Sequence, residues 1–115
     1  METSLSSGRE ILRGVAKYTH QINNWEIFHA PHALGDHLPS WLSNWQGDGI
    51  IARIESSEKL DALRKFDLPV VDVLGLVSDC DFPLVHVDDA AISGAVADHF
   101  LRREFRHFGF YGFAG

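Results

Sequence analysis

The chain has 115 residues, of which 45% are apolar, 23% charged and 11% aromatic, a mix that fits one compact domain and excludes a disordered segment. Ten Lys and Arg stand against 16 Asp and Glu, a net charge of −6, so the chain lacks the basic face of a stand-alone nucleic-acid binder. A single cysteine, Cys80, excludes an internal disulfide and a thiolate metal cluster, and no window of about 18 apolar residues offers a membrane span.

Residues 1–10 are polar and show no secretory pattern, which places the expected location in the cytoplasm. Ser7-Gly8-Arg9-Glu10 has the spacing of a capping box and opens a predicted helix with Ile11, Leu12, Val15, Ala16, Thr19 and Ile22 on one face. Asn23-Asn24 ends it. Residues 25–30 read as a short strand and 31–39 as a loop. Pro39 suits a first helical position, with Leu38, Leu42 and Trp45 packing one short turn. Gly47-Asp48-Gly49 is turn chemistry before a strand over 50–54. Ser56 or Ser57 caps the next helix, which turns Leu60, Leu63 and Phe66 inward.

Residues 69–74 form a near-continuous apolar run, the pattern of a strand covered on both faces. A strand follows over 84–87. Asp88 or Asp89 caps a helix with Ile92, Ala95, Val96, His99 and Phe100 on one side, and 108–113 reads as a last strand. Strands separated by helices predict an α/β fold with a three-layer, doubly wound parallel sheet. No full strand precedes the first helix, and the chain stops just past a strand. Both features lead us to expect an incomplete domain, a segment of a longer protein.

Several segments in order resemble one family: Gly47-Asp48-Gly49-Ile50-Ile51, Leu68-Pro69-Val70-Val71, Val87-Asp88-Asp89, Asp98-His99-Phe100-Leu101 and Arg106-His107-Phe108-Gly109-Phe110. Together they resemble the effector-binding, periplasmic-binding-protein-like (type I) domain of the lactose/galactose repressor superfamily. The opening Gly8-Arg9-Glu10-Ile11-Leu12-Arg13-Gly14 and the run Phe110-Tyr111-Gly112 look most like the xylose operon regulator branch. The resemblance covers nearly the whole chain. It implies a two-lobed sensor that closes on xylose or a related pentose and thereby changes how a linked helix-turn-helix domain, absent from this sequence, grips DNA. It also implies that residues 1–87 form the first lobe and 88–115 the first helix and strand of the second.

The cleft of such a fold lies at the carboxyl ends of the parallel strands. Ser4, Ser6, Ser7 and Arg9 fall where the first helix begins. The serines can serve as caps or as sugar contacts, and the Arg9 guanidinium as a solvated group or a fork for paired oxygens. Arg53 ends a strand and points to the cleft, with Glu55 as its possible partner; the alternative is a surface ion pair. Leu74 and Gly75 end the next strand, where glycine either lets a ligand approach or simply shapes the loop. One of Asp88 and Asp89 caps the helix, and the other is available to sugar hydroxyls. The ligand-binding candidates are therefore Ser4, Ser7, Arg9, Arg53, Leu74, Asp88 and Asp89.

Trp25, Trp41 and Trp45 favour core or lobe-interface packing over ring stacking, and His99 reads as a buried, hydrogen-bonded histidine. Cys80 reads as a packing or loop residue. His29, His32, Asp36 and His37 match no metal-site spacing, and no phosphate loop, nucleophile elbow or catalytic set is visible. No cofactor or metal is expected, and no catalytic residue is assigned. Asp88, Asp89 and His86 would be the candidates of an alternative reading as a small α/β enzyme; a sugar-binding protein unrelated to transcription is another alternative. Unpaired edges and apolar faces predict a homodimer or an exchange of strands between copies.

Overall fold

The computed structural model describes residues 6–22, 24–30 and 37–112. Helix α1 spans Ser6–Ile22 and is strongly amphipathic. Ile11, Leu12, Val15 and Thr19 are half-buried, as the predicted face requires, whereas Ala16 and Ile22 are exposed. The helix begins one residue before Ser7. Ser7 therefore lies in the first turn and is not its cap. The expected turn at Pro39 forms as a 3-10 helix over Ser40–Asn44, with Pro39 just outside it.

Strand β1, Ile50–Ala52, lies parallel to strand β2, Val70–Asp72, with Ile50 opposite Val70 and Ala52 opposite Asp72. Both strands are shorter than predicted. Helix α2, Ser57–Leu63, crosses between them, and its cap is Ser56, whose side chain accepts from the Lys59 N–H at 3.3 Å. Two parallel strands joined through a helix are the repeating unit of a doubly wound fold. On the far side of β2 the predicted strand at 84–87 is reduced to a single parallel bridge between Asp72 and Leu84. Helix α3, Asp89–Leu101, is capped by Asp88, which accepts from the Ala91 N–H at 2.9 Å.

Two expected strands do not form. Residues 25–30 form no strand, because no described strand lies beside them and a strand exists only through its neighbour's hydrogen bonds. Residues 108–112 form no strand either, and residue 113 lies outside the described residues. The expected doubly wound sheet is represented among the described residues by two parallel strands and one bridge, in keeping with an incomplete domain.

The core is small. Leu42, Ile54, Leu60, Leu63 and Val70 are buried, with Trp45, Phe66, Cys80 and Phe82 among the groups packed around them. The inward face read from Leu60, Leu63 and Phe66 is thus correct, and Cys80 is a packing residue. Every residue from 83 to 112 is exposed. The radius of gyration is 17.3 Å, against roughly 13 Å for a close-packed domain of this length. α3 and the segment after it bury no residue. His99 is accordingly exposed and stacks edge-on to Phe100 at 5.7 Å, contrary to the buried role expected of it.

Replacing Leu63 by Ala opens a cavity between α2 and the sheet. We expect a loss of about 2–5 kcal/mol, measured by urea denaturation. With so few buried apolar residues, that loss should be enough to abolish cooperative unfolding.

Candidate functional site

The parallel pairing puts the carboxyl ends of β1 and β2 on one edge, and the chemistry gathers there. Arg53 follows β1 directly and is only 7% exposed, so its guanidinium is not a solvated surface group. Its Nη1 donates to the Ser7 Oγ in the first turn of α1 at 2.9 Å. Two of the sequence candidates, 46 residues apart, are thereby brought together. Arg9 lies one turn-step further along α1 and is exposed. Ser4 lies outside the described residues.

Asp72 ends β2 and is completely buried. Its Oδ1 accepts from the backbone N–H of Ile54 at 3.2 Å and of Leu74 at 3.0 Å, and its Oδ2 from the N–H of Gly75 at 3.0 Å. One carboxylate thus ties the turn after β1 to the turn after β2. Hydrogen bonds to an ionised acceptor are the stronger class and satisfy a charge that burial would otherwise penalise. Gly75 adopts a left-handed backbone at φ +69°, which a side chain would strain, and an added Cβ would meet Leu84 at 3.2 Å. Its role is the loop geometry weighed above, and Leu74 is held beside it.

His86 packs over Gly75 and its Nδ1 lies 3.7 Å from Asp89 Oδ2. Asp88 is occupied as the α3 cap. Of the two aspartates, Asp89 is therefore the one whose carboxylate faces the strand-end loop through His86. The site candidates form two clusters, Ser7 with Arg53 and Leu74–Gly75 with His86 and Asp89, joined through Asp72.

Sequence reasoning missed Asp72 and Lys59. Asp72 was visible as the lone carboxylate inside an apolar strand, but it was absorbed into that run. Lys59 is 8% exposed, and its Nζ pairs with Glu55 at 2.6 Å. The i,i+4 spacing of Glu55 and Lys59 was the available signal, although Arg53 was the partner considered. Arg53 and Lys59 also border a mostly apolar cavity of about 130 Å3 between the sheet and the 3-10 turn.

The aromatic residues serve packing unevenly. Trp45 is half-buried and meets Phe28 and Trp41 edge-on at 6.3 and 6.2 Å. Trp25 and Trp41 are exposed at 54% and 42%, so neither lies in the core. His37 pairs with Glu58 at 3.6 Å, while His32 and Asp36 lie outside the described residues. Away from the strand ends, Arg64 at the end of α2 holds Asp81 through Nε and Nη2 and the Asp79 carbonyl through Nη2. The Arg64 hydrogen bond holds the Asp81 carboxyl below its ordinary range.

A parallel α/β unit whose helix starts and strand ends converge on one edge is the building unit of the doubly wound class of α/β protein. The chain belongs to the XylR N-terminal domain family, whose model matches residues 3–91. That family carries the type I periplasmic-binding-protein-like α/β fold. Xylose operon regulatory proteins of Escherichia coli strains K12, O6:H1 and O157:H7 are each 30% identical to it over 111 residues, covering 90% of this chain. The chain spans 27% of the length of these relatives. No solved structure matches it. No helix among the described residues is long and apolar enough to cross a membrane.

Asp72→Asn keeps the shape but replaces one acceptor oxygen by a donor facing backbone N–H groups. We expect a loss of about 2–4 kcal/mol, read from chemical denaturation. Asp81 gives a milder effect. Its depressed folded value means that the Arg64 contact stabilises the chain above the unfolded Asp pKa, and that this stabilisation disappears as pH falls through the folded one. Carbon NMR titration should find Asp81 below the ordinary Asp range and returned to it by Arg64→Ala.

Proposed function

We propose that this chain is the first lobe, residues 1–87, of the sugar-sensing domain of a transcription regulator, followed by the first elements of the second lobe over 88–115. The ligand is xylose or a related pentose, held between the lobes. DNA is gripped by a helix-turn-helix domain elsewhere in the full-length protein, which acts in the cytoplasm as a homodimer. The observation that carries this reading is the convergence of Arg53, Ser7 and the Asp72-bound turns on one sheet edge in a chain of the XylR family.

On this reading Arg53 presents guanidinium N–H groups to sugar hydroxyls, with Ser7 fixing its orientation. Arg9 is exposed two residues beyond Ser7 on α1, and Ser4 is a further candidate sugar contact. The Leu74 backbone shapes the floor, and Asp89 offers acceptors from the second-lobe side while Asp88 holds the helix start. Such hydroxyl recognition requires no nucleophile, cofactor or metal. Sugar binding shifts the population from open to closed lobes only by the difference in its affinity for the two, so contacts from both sides are required. A single lobe supplies one side and binds sugar weakly.

The test uses the full-length regulator and calorimetric titration with D-xylose. Arg53→Lys keeps the buried charge but removes the planar fork, and Arg9→Ala removes an exposed group. Each should weaken binding about tenfold, equivalent to about 1.4 kcal/mol, with the melting temperature of Arg9→Ala unchanged. Unaltered affinity in both folded variants would take these arginines out of the site. Absence of any pentose binding by the parent protein would reject the ligand.

A further inference from the structure

Helix α2 begins with a residue that its position disfavours. Ser56 is the cap, so Lys59 is the third residue of the first turn. A glutamate or glutamine there would complete a capping box, and the helix dipole opposes a cation. Lys59 is also buried, which a lysine rarely is without a partner. Its partner is Glu55, four residues back, with Nζ 2.6 Å from Oε1 and the two side chains 9% and 11% exposed. Replacing such a pair by apolar side chains of the same volume costs a fold little or nothing. Stability is therefore a poor account of why an ammonium stands here.

The neighbourhood supplies another. Arg53 and Lys59 border the same small cavity, and Glu55 stands between them in sequence. A carboxylate so placed can be taken by either cation. Lys59 holds it, while the Arg53 Nη1 donates to the Ser7 hydroxyl at 2.9 Å. Given both acceptors, a guanidinium prefers a carboxylate, which it meets through charge-assisted and often paired bonds, to a neutral hydroxyl. The observed division of partners therefore depends on Lys59.

We propose that Lys59 is a positioning residue for the Arg53 guanidinium: by holding Glu55 it keeps that carboxylate from drawing Arg53 off Ser7 and away from the strand ends. The functional meaning of this control rests on the sugar-site reading of Arg53, whereas the control itself is a property of the lobe. Lys59 touches no ligand in this scheme. It acts on affinity through the direction in which Arg53 presents its N–H groups.

Two readouts test it. On the chain as given, nitrogen–proton NMR follows the Arg53 guanidinium, assigned by its loss in Arg53→Lys. On the full-length regulator, calorimetry follows D-xylose binding. Lys59→Met keeps the length of the side chain and removes its charge. We expect the Arg53 signals to shift and the affinity to fall about tenfold. Adding Glu55→Gln removes the competing charge and should return the Arg53 signals to their parent positions, with most of the affinity. Lys59→Arg, which keeps a cation for Glu55, should behave as the parent does. Lys59→Gln still donates to Glu55 without a charge; it gives the same order with a smaller effect and takes the place of Lys59→Met if that variant does not fold. Arg53 signals indifferent to the loss of the Lys59 charge overturn the proposal. So does a loss that Glu55→Gln fails to reverse, which is the mark of a merely structural pair. The expected Arg53 shifts in a protein whose parent binds no pentose would uphold the role of Lys59 and reject the sugar reading alone.

Discussion

The arrangement depends on one buried carboxylate. Asp72 is the only polar residue in β2, it is wholly excluded from solvent, and it accepts three backbone N–H groups from two different turns. A charge in that position costs several kcal/mol unless it is met by donors in fixed places. The need therefore runs both ways: the turns at Ile54 and at Leu74–Gly75 hold the carboxylate, and the carboxylate holds the turns. Arg53 is the residue immediately before Ile54, and His86 lies over Gly75. Both clusters of candidate ligand groups are thus anchored through atoms that Asp72 holds. Among the described residues, two short strands and five buried apolar side chains would not fix these turns by packing alone.

What the sequence made legible was local. The caps at Ser56 and Asp88, the inward spacing of Leu60 and Leu63, and the turn after Pro39 are encoded within a few residues of where they act. Strands were legible only where a partner exists. The stretches 25–30 and 108–113 carry strand composition as strong as that of 70–72, but composition alone does not place a strand in a sheet, and the described part of each belongs to no sheet strand. At the site, Arg53 and Ser7 could each be marked from their place at a strand end and a helix start. Their mutual contact across 46 residues could not, because it depends on how α1 lies over the sheet. Asp72 was hidden for the opposite reason. Its neighbours are so apolar that the run read as a simple buried strand, and a carboxylate bound to backbone N–H groups leaves no partner residue for a pattern to reveal.

The charges around the strand ends also limit how the lobe can be altered. Arg53, Lys59 and Asp72 are all less than one-tenth exposed, and Glu55 pairs tightly with Lys59. Such a set contributes little net stability relative to apolar packing of the same volume. What it contributes is position: each group is restricted to the geometry that compensates its own burial. A guanidinium held in this way keeps its orientation when a ligand arrives, so less rotamer entropy is lost on binding. That is the property required of a recognition group in the proposed sugar site, and it explains how a small core can carry so many ionisable side chains without losing its fold.

The remaining tension lies in α3 and the residues after it. α1 is amphipathic and packs one face, whereas α3 is apolar nearly all round and buries none. A helix of that composition is stable in water only when other elements cover it. Phe100, Phe105 and Phe108 cluster together within 5.9–6.0 Å, a local compensation that leaves all three exposed. Their apolar area is therefore still available to drive association. In the proposed two-lobed sensor, second-lobe elements supply that cover.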